Sequence, residues 1–88
     1  MKYSDPKEFY IKLGKRIRSF REAQELSQSE LGYNADLDKS VIQRLEMART
    51  NATVKTLLKI ANGLDITLSV LCNIEEEKKP INNEQYKP

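Results

Sequence analysis

The run KSVIQR, residues 39–44, sets four hydrogen-bonding side chains, Lys39, Ser40, Gln43 and Arg44, where a helix would gather them on one face. Val41, Ile42 and Leu45 fall on the other side. Such a face is either a solvated helix surface or a surface that donates hydrogen bonds to a polar partner. Bond-making chemistry is a poor match. The chain has no histidine and a single cysteine, Cys72, so the usual zinc sets and Cys/His catalytic sets are unavailable. No clustered acid and nucleophile replaces them, which argues against an enzyme, a metal site or a cofactor.

Composition narrows the class. With 88 residues, 39% hydrophobic and 32% charged, the chain has the balance of one small helical domain with a modest core. The formal net charge of +2 is uneven. Residues 1–60 carry twelve Lys or Arg against eight Asp or Glu, and residues 61–88 carry three against five. A mildly basic front half is compatible with a polyanionic partner but does not demand one. The lone Cys72 rules out an internal disulfide and suits a reducing cytoplasm. No apolar run approaches a membrane span, and the N-terminus lacks a signal-peptide core.

The elements follow from caps and periodicity. Asp5 as N-cap, Pro6 at the first helical position and Glu8 as the partner in a capping box open a first helix. Its stripe is Phe9, Leu13, Ile17 and Phe20, and it runs to about Ala23. In SQSELGYNADLDKSVIQRLE, Ser27 with Glu30 forms a second capping box, and Leu26 with Leu31 a hydrophobic staple. That helix ends near Asn34. Asp38 caps a third helix, about Lys39 to Met47, stapled by Leu37 and Ile42. Ala48 to Ala52 reads as a loop. Thr53 then caps a fourth helix with the stripe Val54, Leu57, Leu58, Ala61 and Leu64, weakened by up to about 1 kcal/mol by Gly63. Thr67 caps a short fifth helix, Leu68 to about Ile74. From Glu75, EEEKKPINNEQYKP reads as a flexible charged tail, so the domain is residues 1–74 and the tail 75–88. No strand pattern or internal repeat is visible.

Two short capped helices joined by a tight turn, the second with a polar outer face, fit a helix-turn-helix at about residues 27–47. The segment Leu13–Leu71 resembles the Cro/C1-type (XRE-like) helix-turn-helix family of phage repressors and bacterial regulators. LGKRIRSFREAQELSQSEL resembles that family's opening helix, linker and second helix. SVIQRLE resembles its recognition helix, and TVKTLLKIANGLDITLSVL its fourth and fifth helices. The resemblance implies an all-α, compact five-helix lambda-repressor-like DNA-binding domain. It implies base contacts from Lys39, Ser40, Gln43 and Arg44, phosphate contacts from Gln28, Arg49, Thr50 and Asn51, and an ion pair between Arg21 and Glu46. The side-chain types suit those roles: Arg or Lys reads guanine O6/N7, Gln reads adenine, and Ser serves either.

The chain departs from the family pattern in four places, five residues in all. Gly32 stands where Ala is usual, Asp36 where Gly is usual, and Asp38 where Ser or Thr caps the recognition helix. Ala48 and Ala52 stand where Gly and Pro are common. The function expected is a sequence-specific transcriptional regulator in the cytoplasm, at the nucleoid. It would bind a palindromic operator of double-stranded DNA as a homodimer through Leu68, Val70, Leu71 and Ile74. ADLDKSVIQRLE with TVKTLLKI leans toward restriction–modification controller proteins. The competing expectation is an antitoxin or protein-interaction module whose tail from Glu75 captures a toxin.

Overall fold

A computed structural model describes residues 5–74, in which five helices follow one another: α1 (Pro6–Ala23), α2 (Gln28–Ala35), α3 (Lys39–Glu46), α4 (Val54–Gly63) and α5 (Leu68–Leu71). The expected flexible tail, 75–88, lies outside the described residues. Each helix begins where the sequence places an oxygen-bearing cap, but the caps are not equivalent. Ser27 accepts from the Glu30 amide at 3.0 Å while Glu30 accepts from the Ser27 amide at 2.8 Å, a complete box. Thr53 and Thr67 accept from the Thr56 and Val70 amides, each at 3.1 Å. Asp5 bonds the Lys7 amide rather than that of Glu8, so the box expected at α1 is a single cap, and Glu8 instead lies 4.0 Å from Lys12. Asp38 occupies the N-cap position of α3, but its side chain makes no cap hydrogen bond.

The first four helices stop in the same way. Glu25, Asp36, Ala48 and Asp65 all take the left-handed conformation, with φ between 56° and 58°. The next amide reaches back five residues in each case: Leu26 to Arg21, Leu37 to Gly32, Arg49 to Arg44 and Ile66 to Ala61, at 2.8–3.0 Å. These are Schellman closures made without glycine, a residue that would avoid a strain of about 1–2 kcal/mol at each site. The three glycines serve helix packing instead, and none has positive φ. A Cβ on Gly14 would lie 2.8 Å from the Glu46 carbonyl oxygen, one on Gly32 2.6 Å from that of Leu37, and one on Gly63 2.9 Å from the Ala35 Cβ. Gly63 is therefore more than a weak point in α4: it lets α2 and α4 touch.

The core joins all five helices through Leu13, Ile17, Leu31, Ile42, Leu45, Ile60, Ala61, Leu64 and Leu71. Two sequence expectations change here. The inner side of α4 runs through Leu57, Ile60, Ala61 and Leu64, while Val54 and Leu58 stand outward, 64% and 45% exposed. And α5 stops at Leu71 rather than Ile74, and Arg16 from α1 caps the carbonyls left open at its end. Its Nη2 donates to the Val70 oxygen at 2.7 Å and its Nε to the Leu71 oxygen at 3.0 Å.

Candidate nucleic-acid interface

Within this frame α3 is held from behind and open in front. Ile42 and Leu45 are buried, Val41 is half-buried, and Lys39, Ser40, Gln43 and Arg44 are all exposed. The leading end of α3 follows the three-residue turn Asp36–Asp38, and its trailing end lies against Gly14 of α1. Arg49 and Asn51 are exposed in the loop after α3, and Thr50 is half-buried with its hydroxyl donating to the Asn51 carbonyl at 3.3 Å. The Arg49 amide closes α3 by bonding the Arg44 carbonyl. The backbone of Arg49 is thus tied to that of Arg44, at the end of the exposed face of α3.

Arg21 and Glu46 form a two-pronged ion pair. Arg21 Nε donates to Glu46 Oε2 at 2.6 Å and Nη2 to Oε1 at 3.0 Å, and the side chains are only 11% and 4% exposed. Its hydrogen bonds to Glu46 hold the Arg21 guanidinium more firmly protonated than usual, against the burial that would loosen its proton. A pair this dry sets geometry more than it adds stability. Two further contacts converge there: Arg21 Nη1 donates to the Leu26 carbonyl at 2.8 Å, and Gln28 Nε2 donates to Glu46 Oε1 at 3.1 Å. Gln28 is therefore half-buried and tied to α3 as well as standing first in α2.

The two acids of the turn have different surroundings. Asp36 is 95% exposed in its left-handed position, with Lys59 of α4 at 3.8 Å. Asp38, exposed and without a cap bond, immediately precedes Lys39 and Ser40 in the chain. In α2 the Ser27 amide, and then its hydroxyl, hold the Glu30 carboxylate below the usual glutamate range. Tyr33 is 88% exposed between two shallow surface depressions.

The apolar residues expected at a dimer surface divide. Val70 is 42% exposed, and Leu68 and Ile74 are half-buried against the core. Leu71 is 0% exposed. Its side chain completes the monomer's core and offers nothing to a second copy. Burial pushes the half-buried Cys72 thiol up, with Arg16 pulling part of the way back, which suits a packing residue better than a reactive one. Sequence reading missed Arg16 as the cap of α5, the Gln28–Glu46 bond, and Gln24, whose amide donates to the Leu64 carbonyl at 2.7 Å. Each joins residues 18 to 55 positions apart, and no local pattern announces such a bond.

This architecture, a short braced helix with an open donor face behind a tight turn, is that of a helix-turn-helix domain. A helix-turn-helix family model matches residues 17–71, and the chain belongs to the Cro/C1-type branch of these DNA-binding regulators. Control protein C.MunI of a Mycoplasma species is 36% identical over 69 residues, spanning 76% of this chain and 93% of that protein. The immunity repressor protein of Bacillus phage phi105 is 30% identical over 79 residues. That alignment spans 85% of this chain but 55% of the repressor. Among solved structures, the restriction-modification controller protein C.AhdI from Aeromonas hydrophila superimposes with a TM-score of 0.69 at 35% identity, covering 70% of this chain and 94% of that one.

Proposed function

We propose that this chain is a small sequence-specific transcriptional regulator of the controller type. It binds a near-palindromic operator as a homodimer and inserts α3 into the major groove. The observation that carries this reading is the outward face of α3. Four donor-bearing side chains stand free on a helix whose other side is buried, at the dimension the major groove admits. Lys39, Ser40, Gln43 and Arg44 read base edges. Gln28, with the amides of the first turn of α2, and Arg49, Thr50 and Asn51, in the loop after α3, hold phosphates on either side. One monomer reads too few base pairs for useful specificity, so two copies occupy half-sites about 34 Å apart. The dimer surface is the exposed side of α5, Val70 with the accessible parts of Leu68 and Ile74. It acts on cytoplasmic, nucleoid-associated DNA, in keeping with its unpaired Cys72.

Footprinting of the region upstream of the chain's own gene tests this reading, and protection of a two-fold symmetric site is the expected result. Arg44→Ala sharpens the test. It should cost about 1–3 kcal/mol on the operator, lose discrimination at one base position per half-site, and leave random-sequence affinity nearly unchanged. Equal losses on operator and random DNA would remove Arg44 from the base-reading set. If no site is protected at moderate salt, the regulator reading fails, and the competing role, partner capture by an antitoxin, becomes the one to pursue.

A further inference from the structure

The Glu46 carboxylate does more than balance a charge. Its Oε1 accepts from both Arg21 Nη2 and Gln28 Nε2, at 3.0 and 3.1 Å, and its Oε2 accepts from Arg21 Nε. An ionised carboxylate only accepts, so the nitrogen end of the Gln28 amide must face it, whichever way the amide is drawn. That nitrogen carries two hydrogens, and Glu46 takes one. Gln28 is the first residue of α2, whose amides and positive helix end suit an anion, and it remains half-exposed. The same Arg21 also holds the Leu26 carbonyl, just before the Ser27 cap. One carboxylate at the last turn of α3 thus anchors the first side chain of α2. We propose that Glu46 is a positioning residue for DNA binding: it locks Gln28 so that the second amide hydrogen is aimed at a phosphate, coupling phosphate grip by α2 to the seating of α3. This rests on the reading of Gln28 as a phosphate contact.

Phosphate contacts carry no sequence information, so a short mixed-sequence duplex at low salt is the probe. Glu46→Leu keeps a side chain of similar size but removes both accepting oxygens, which releases Gln28. Glu46→Leu and Gln28→Leu should each weaken binding roughly tenfold, and the double variant should be no weaker than either alone. If the two losses multiply, Glu46 acts through the fold alone and the proposal is overturned. Circular dichroism checks that the variants fold. A second measurement needs no variant. In the isotope-labelled native chain, one Gln28 side-chain amide hydrogen should shift on adding duplex while its partner stays in place. Movement of both, or of neither, overturns the proposal. Unchanged affinity in Gln28→Leu would instead remove the phosphate role of Gln28, and the positioning role with it. The Arg44→Ala discrimination test would be unaffected by that result.

Discussion

Ser27 and Asp38 have the same apparent job, an oxygen-bearing residue before a short helix, and the structure gives them different ones. Ser27 makes both bonds of a capping box, whereas Asp38 makes no side-chain cap bond. Ser27→Ala should therefore cost about 1 kcal/mol in urea denaturation, and Asp38→Ala only about 0.3 kcal/mol. Asp38→Ala should also raise affinity for every DNA sequence alike, because it removes a carboxylate from beside Lys39 and Ser40. Ala48 holds φ of 58° to close α3, at a steric cost that glycine would not incur. Ala48→Gly should raise stability by about 0.5–1 kcal/mol in the same assay, the relieved strain being partly offset by the freer unfolded chain. A residue-type preference shows where a cap or a stop falls. Which bond the side chain then makes depends on its neighbours.

At the scale of elements, the spacing of helices rests on glycines that sequence reading treats as weaknesses. Gly14 is the clearest: a Cβ there would meet the backbone carbonyls of Leu45 and Glu46, which are not free to swing aside. Gly14→Ala should destabilise the domain by about 1–3 kcal/mol and displace the trailing end of α3. Operator affinity should then fall more than random-sequence affinity, since the tilt of the recognition helix matters only for base contacts. Paired binding measurements on the two DNAs would read this. Helix limits were legible because caps and breaks in periodicity are local, and four of the five helices end within about one residue of expectation. The exception, α5, stops early and is capped by Arg16, a residue 54 positions from Val70 in sequence.

At the scale of the whole molecule, the question is which apolar surface is left over once the core is full. Leu71 belongs to the core, while Val70 beside it is 42% exposed. Val70→Asp should leave the monomer folded, with melting temperature little changed, but shift sedimentation toward monomer and weaken operator binding more than half-site binding. A dimer that survives Val70→Asp would move the interface elsewhere, and the outward Val54 and Leu58 of α4 are the alternative surface.

The sequence by itself determined the helices, their order, the family and the identity of the polar face on α3. All of these follow from periodicity and short-range hydrogen bonding, which a linear string records. Tertiary structure alone decided that Asp38 leaves its cap unmade, that Leu71 faces inward and Leu58 outward, and that Gln28 is held by Glu46. Those outcomes depend on which surfaces meet when five helices pack. The contacts join residues distant in the chain, where neither residue type nor spacing carries a signal.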